Sequence, residues 1–442
     1  EIYTLSLHDA LPISWFDLGP FACRLVGITH STPESCMVEI VTPAGRVVHT
    51  GDWKLDKDPL VGDAYDAALY NEIGNNGVLA CISESTNATV PGSSLSELDV
   101  QKGMTQLMAR LDGRVAVIVM SRNLGRIRAV AEAALANDRH VSLVGRSLWK
   151  SYQIGKELGY FDGMPEFISP DDIGYIPRSK IAFICTGSQG EPRAAISRIA
   201  AGEHPAIDLE RGDHVIFSSR IIPGNEVPVG RVMDRLIANG REVITRDSVP
   251  ECIYASGHPG IEEVTQMYQW LRPKILIPVH GERRYQEANA EIGRKCQVPE
   301  IVIPENGTVI RLRSGAAEIV GNVTTGRLAL DGKSLVSDQS ESIRLRRKMM
   351  LGGSVLATLV VDDKNRLLAA PKLTLRGLSE GEAALDDEAE VRAAIEQAFE
   401  KLNHSQRKQD DVLEETIRLA IRRTVNKIHN KKPVTDIHIV RV

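Results

Sequence analysis

The sequence predicts an α/β fold with a small α+β domain at its C-terminal end, and three observations carry that prediction. Between Pro91 and Glu251 short apolar strands alternate with helical stretches, the pattern of a parallel sheet covered by helices on both faces. The longest apolar runs, 115–120 and 275–279, are several-fold shorter than the roughly 20 residues a membrane span needs, so no segment is expected to cross a bilayer. The 442 residues carry 53 Lys plus Arg against 58 Asp plus Glu, a net charge of −5, and 43% are hydrophobic. That balance describes a soluble globular chain of about three domains and excludes collagenous, disordered and disulfide-scaffold classes.

Taken in order, residues 3–13 read YTLSLHDALPI, a string similar to the translation of a common sequencing adapter. Residues 1–14 are therefore set aside as an adapter-like artefact, and His8-Asp9 is not read as a metal pair. With no initiating Met, basic leader or cleavage site, the start is expected to reflect truncation of the gene at its 5′ end. Residues 24–83 read as short strands with few helices: 36–41 and 46–50 join at Pro43-Ala44-Gly45, a hairpin signal, and 79–83 is a further buried run. After Pro91-Gly92-Ser93-Ser94, strands at 115–120, 140–144, 181–185, 214–218 and 242–245 are separated by helices such as 127–136 and 229–239. From Glu251 the order is helix 261–271, strand 274–279, helix 283–295, then strands to about 320. Residues 331–342 are polar and serine-rich and read as a linker. Beyond them come strands near 355–361 and 367–375, helices near 387–402 and 412–429, and a last strand at 434–442.

Six cysteines lie far apart with no C-x-x-C pair, which argues against a zinc ribbon and a secreted disulfide framework and for a reducing, cytoplasmic compartment. A mildly acidic chain that binds nucleic acid needs a local basic groove to meet the phosphates.

Three residues of metal-ligand type each follow an apolar run at a strand's C-terminal edge: His30 after 25–28, Asp52 after 47–48, and His280 after 274–279. Two imidazoles and a carboxylate delivered by three strand ends make part of a Zn²⁺ site; the competing reading is three unrelated polar residues. Ser121-Arg122-Asn123 follows a strand and precedes a helix, a geometry that suits a phosphate. Thr186-Gly187-Ser188 is a second loop of the same kind.

Six strings occur in a fixed order: T-H-S-T-P-E-S (29–35), T-G-D-W-K-L-D (50–56), S-E-S-T-N-A (83–88), C-T-G-S-Q-G-E-P (185–192), A-S-G-H-P (255–259) and P-V-H-G-E (278–282). Together they resemble the motifs of bacterial ribonuclease J, a branch of the metallo-β-lactamase superfamily with an inserted β-CASP domain. The resemblance implies an incomplete metallo-β-lactamase αββα sandwich at 15–93 and 251–335, a β-CASP domain at 94–250, and a linker with a C-terminal α+β domain at 336–442. It implies His30, Asp52 and His280 as metal ligands, with Asp52 bridging two zinc ions and manganese as an alternative. Glu84 and His258 match the acidic and histidine positions of the β-CASP motifs, so Asp52, Glu84 and His258 are the expected catalytic residues. Ser121, Arg122, Asn123, Tyr254, Ala255, Ser256, Gly257 and His258 match stretches that contact RNA.

The implied activity is a metal-dependent ribonuclease, 5′ to 3′ exonucleolytic and endonucleolytic, acting in RNA processing and decay as a homo-oligomer, a dimer or tetramer, in the cytoplasm. The family's H-x-H-x-D-H signature occurs nowhere in the chain. The implied site then lacks over half its ligands, and this chain by itself is expected to be inactive or severely impaired. The alternatives are a non-catalytic RNA-binding or scaffold member of the superfamily and a small-molecule hydrolase such as a lactonase; the long insert after Ser93 counts against the latter.

Overall fold

Hairpin chemistry opens the first sheet. The computed structural model describes residues 14–313 and 316–442; His8 and Asp9 lie outside the described residues. Strands β1 (Trp15–Leu18) and β2 (Phe21–Gly27) pair antiparallel, as do β2 and β3 (Cys36–Thr42). The expected hairpin is present, with β3 turning at Pro43-Ala44 into β4 (Gly45–His49). Helix α1 (Ala67–Asn75) is capped by Asp66, whose side chain accepts from Ala68 N and Leu69 N. It leads into β5 (Ala80–Glu84), which lies parallel to β4.

The next stretch begins at helix α2 (Glu97–Met108), where Ser96 and Asp99 form a reciprocal capping box. Strands β6 (Val115–Ile118), β7 (His140–Val144), β8 (Ile181–Cys185), β9 (His214–Phe217) and β10 (Glu242–Ile244) follow, with helices α3 (Leu124–Ala136), α4 (Arg146–Glu157), α5 (Ala195–Ala200) and α6 (Glu226–Ala238) between them. All five strands are parallel, in the order β10-β9-β6-β8-β7. The three central strands are buried at every position, which requires helices on both faces. Alternation assigns the faces: Val115 and Val117 pack with residues of α2, α3 and α4, while Ala116, Ile118 and Phe183 pack with residues of α5 and α6. Because β6 has its two neighbours from later in the chain, the loops after β6, β8 and β9 open together at one sheet edge, the crevice where open α/β sheets bind ligands.

The chain then returns to the first sheet. Helix α7 (Ile261–Leu271) precedes β11 (Ile275–Val279), and helix α8 (Arg283–Lys295) precedes β12 (Glu300–Ile301). Strand β11 inserts parallel between β5 and β12, giving the seven-stranded order β1-β2-β3-β4-β5-β11-β12, a different sheet from that of β6. Period-two alternation again sorts the side chains. Cys81 and Leu276 pack with Ile73, Met267 and Ile292 of the helices, whereas Ala80, Ile275 and Ile277 pack with Ile310 and Leu312 of a hairpin formed by β13 (Thr308–Arg313) and β14 (Ala316–Asn322).

A second compact unit runs from Thr324 to Val442. The expected linker at 331–342 is instead ordered: β15 (Leu328–Asp331) and β16 (Ser334–Ser337) form a hairpin, and helix α9 (Glu341–Gly352) follows. Its two-residue turn places Gly332 at φ +63°, a left-handed conformation glycine adopts without strain, and its strands are mostly exposed, so composition conceals it. Strand β17 (Ser354–Val361) sits between β18 (Lys372–Arg376) and, after helices α10 (Glu382–Lys401), α11 (His404–Arg407) and α12 (Asp410–His429), the last strand β19 (Val434–Arg441). Strand β18 starts later than the expected 367 because Pro371 precedes it and offers no N–H to a ladder; Leu367 makes only an isolated bridge to Val361. Leu413, Ile417, Ile421 and Val425 form one stripe of α12 and pack with Val391, Ile395 and Phe399 of α10.

Candidate functional site

Side chains of the types that can hold a metal ion gather where β5 and β11 end. Register pairs Val279 with Glu84, so the residues that follow these strands emerge side by side. His280 leaves β11 with φ +48° and carries its imidazole to Asp52, whose Oδ1 lies 2.5 Å from His280 Nδ1. His30, which follows β2, sits with Asp52 and His258 so that each offers a ligand atom within 4.8 Å of the others; Asp52, Glu84 and His280 form a second such set. Asp52 is common to both.

Each imidazole has a defined tautomer partner. His30 Nδ1 lies 2.6 Å from the carbonyl oxygen of Gly257, which puts the proton on Nδ1 and leaves Nε2 as the ligand or acceptor atom, with Ser31 Oγ 3.2 Å away. His258 Nδ1 lies 2.7 and 3.0 Å from the two oxygens of Glu84, which is buried and also accepts from Trp53 N at 2.8 Å. Glu84 therefore orients His258. The His258 ring stands edge-on to His30 at 5.1 Å and to His280 at 5.9 Å between centroids. The hydrogen bond between Asp52 and His280 holds the Asp52 carboxyl below the usual range and raises His280, while burial lowers His30. Gly257 is required by packing: a Cβ there would lie 2.5 Å from Ser31 Oγ and 2.9 Å from His30 Cε1.

Beside this cluster lies a cleft of about 450 Å³ whose lining includes Asn123, Tyr254, Ala255, Ser256, Gly257, His258 and His280. Ser121 and Arg122 are not among its lining residues, and Arg122 is exposed. Asn123 reaches it, but its side chain is committed to structure: Oδ1 accepts from Arg126 N at 2.8 Å as the α3 cap, and Nδ2 donates to Glu97. Tyr254 has the guanidinium of Arg126 at 5.3 Å and that of Arg246 at 5.9 Å from its ring centre. Ser188, from the second expected loop, lines the cleft as well.

Sequence reasoning missed Arg126 and Arg220, which both line the cleft. Arg126 is buried, forks onto Glu97 at 2.6 and 2.9 Å, and donates to Ser218 O and Ala255 O at 2.9 Å each. An arginine interrupting the apolar stretch of α3 was the available signal. Arg220, just past β9, donates to Asn87 Oδ1.

Comparison with known proteins supplies the family. Residues 112–236 match the model described as ribonuclease J, beta-CASP domain; 251–299 match the Zn-dependent metallo-hydrolase RNA specificity domain; and 341–442 match the ribonuclease J C-terminal domain. The chain is 39% identical to a Ribonuclease J of Sinorhizobium meliloti, over 98% of this chain and 78% of that one. It is 37% identical to a Ribonuclease J of Mycolicibacterium smegmatis, over 92% and 72%, and 37% identical to one of Corynebacterium glutamicum, over 82% of this chain and 51% of that longer one. Among the described residues no helix is long and apolar enough to cross a membrane. The resemblance read from the six motifs is borne out: the chain belongs to the ribonuclease J family of metal-dependent ribonucleases, with a β-CASP domain beside the metallo-β-lactamase fold.

Proposed function

We propose that the cleft receives single-stranded RNA and that the adjoining cluster hydrolyses its phosphodiester bonds, 5′ to 3′ from an end and also internally, in RNA processing and decay. The observation that carries this reading is the pair of ligand sets sharing Asp52. Their donors are nitrogen and oxygen only, and the His30 tautomer is set by a backbone carbonyl, which fits Zn²⁺ and admits Mn²⁺. His30 and His280 would hold one ion each and Asp52 would bridge. When bound, such ions neutralise charge on the attacked phosphate and lower the pKa of water.

The chain's own groups do the rest. Glu84 keeps the His258 proton on Nδ1, so Nε2 is the atom left which, when protonated, would donate a hydrogen bond to the phosphate or pass its proton to the leaving oxygen. Backbone and side chains of 254–258 would contact RNA, with Tyr254 offering a face on which a base can stack. The same reading assigns 15–93 and 251–323 to the metallo-β-lactamase part, 94–250 to the β-CASP insert and 324–442, beginning with the β15–β16 hairpin, to the C-terminal part, in a cytoplasmic homo-oligomer.

The test is cleavage of a 5′-monophosphorylated RNA in metal-supplemented buffer, by this chain and by a version extended at its N-terminus with an H-x-H-x-D-H segment. The extended protein is expected to cleave, to stop on chelation, and to lose activity on Asp52→Ala or His280→Ala, while this chain is inactive or far slower. Equal, chelator-sensitive turnover by both would show the ligand assignment to be wrong.

A further inference from the structure

Two residues of one short segment grip the same histidine. Glu84 holds the His258 imidazole, and Asn87, three positions later and buried, holds its backbone: Asn87 Nδ2 donates to His258 O at 3.2 Å and to Ser256 Oγ at 2.8 Å. Ser256 Oγ in turn accepts from His258 N at 3.0 Å, closing a turn around Gly257. On its other side Asn87 Oδ1 accepts from Arg220 Nη1, an arginine that lines the cleft and comes from the loop after β9. Arg220 can only donate and the His258 carbonyl can only accept, so the two together leave the Asn87 amide one orientation.

From this we infer that Asn87 is a positioning residue for His258, and that Arg220 acts on His258 through it. The segment that follows β5 then fixes both ends of the histidine, its ring through a carboxylate and its main chain through an amide. A side chain of the same size that cannot donate breaks the arrangement. Asp at 87 would keep the acceptor for Arg220 while setting an oxygen against the His258 carbonyl. The inference rests on the reading of His258 as the group at the scissile phosphate, and its test is built to separate the two.

The experiment is ¹⁵N,¹H NMR of the labelled chain without added metal, following the low-field His258 Nδ1–H proton shared with Glu84, assigned by its loss in His258→Ala. In Asn87→Asp and Asn87→Ala that resonance is expected to move upfield or broaden away, while amide signals of β7 and β10, at the edges of the five-stranded sheet in the same compact unit, stay in place and report an intact fold. Arg220→Met is expected to shift it in the same direction by less. A resonance unmoved in both Asn87 variants overturns the inference. In the extended, cleaving protein, Asn87→Asp is expected to lower kcat by about tenfold or more with KM little changed, as a misplaced catalytic group does; a change in KM alone overturns it. If His258→Ala cleaves as fast as its parent, the role of His258 falls, while the NMR result still decides that of Asn87.

Discussion

Asp52 and His280 touch, Oδ1 to Nδ1 at 2.5 Å, across 228 residues of chain. The contact exists because β11 returns from a separate five-stranded sheet to lie between β5 and β12, so that the loops after β4 and β11 open at the same edge. The fold thus assembles the candidate site from segments that precede and follow the whole inserted sheet.

Gly257 is a tight packing point of that assembly. Gly257→Ala is expected to displace His30 and Ser31, since the added Cβ meets both well inside van der Waals contact. Zinc affinity measured by chelator competition should fall about tenfold or more, as for loss of a ligand's supporting partner. An alanine variant with parental zinc affinity would show that His30 is not held there.

A buried ion pair supports the segment after Asp52. Lys54 Nζ lies 2.8 Å from Asp56 Oδ2, both side chains nearly inaccessible, and Asp56 also accepts from Glu97 N, at the start of α2. Burial raises the Asp56 carboxyl, but Lys54 together with hydrogen bonds from Ser96 and the Asp58 N–H outweighs it and leaves the pKa below its ordinary value. A lowered carboxylate contributes stability above the unfolded pKa of about 4, lost as pH falls through the folded value. Asp56→Asn, which leaves Lys54 buried without its partner, should cost about 3 kcal/mol at neutral pH. In denaturant titrations the gap between variant and parent should close in acid; a gap that stays constant to pH 2 would contradict the assignment.

Tyr254 separates RNA binding from metal binding. Tyr254→Ala is expected to weaken the affinity for single-stranded RNA by about 1–2 kcal/mol, the worth of one stacked base, while Tyr254→Phe keeps it. Fluorescence anisotropy with a labelled RNA at fixed salt makes the comparison. Equal affinities for all three proteins would remove Tyr254 from the RNA surface.

What the sequence made legible follows from the range of each signal. Strands such as β8 and β11 stand out because burial on both faces makes them continuous apolar runs; His280 could be read because it directly follows β11, and His30 and Asp52 because each comes shortly after the apolar residues of β2 and β4. The hairpin β15–β16 and helix α9 escaped because their apolar residues, such as Leu328, Leu330, Leu335 and Met350, are largely exposed and interleaved with serine and charged residues in short elements, so the polar composition of 331–342 dominated the reading. Arg126 and Arg220 escaped because their partners are remote: Arg126 reaches Ser218, 92 residues on, and Arg220 reaches Asn87, 133 residues back. The Ser121–Asn123 loop shows a signal that serves the fold as well. A strand-to-helix turn suggests a phosphate site, yet Asn123 itself caps α3 and uses a free N–H that such a site would need.

The central claim is that two ion sites share Asp52, and zinc titration of the N-terminally extended protein under chelator competition tests it most directly. His30→Ala and His280→Ala are each expected to remove one binding component and leave the other, whereas Asp52→Ala removes both. Retention of either component by Asp52→Ala would contradict the account.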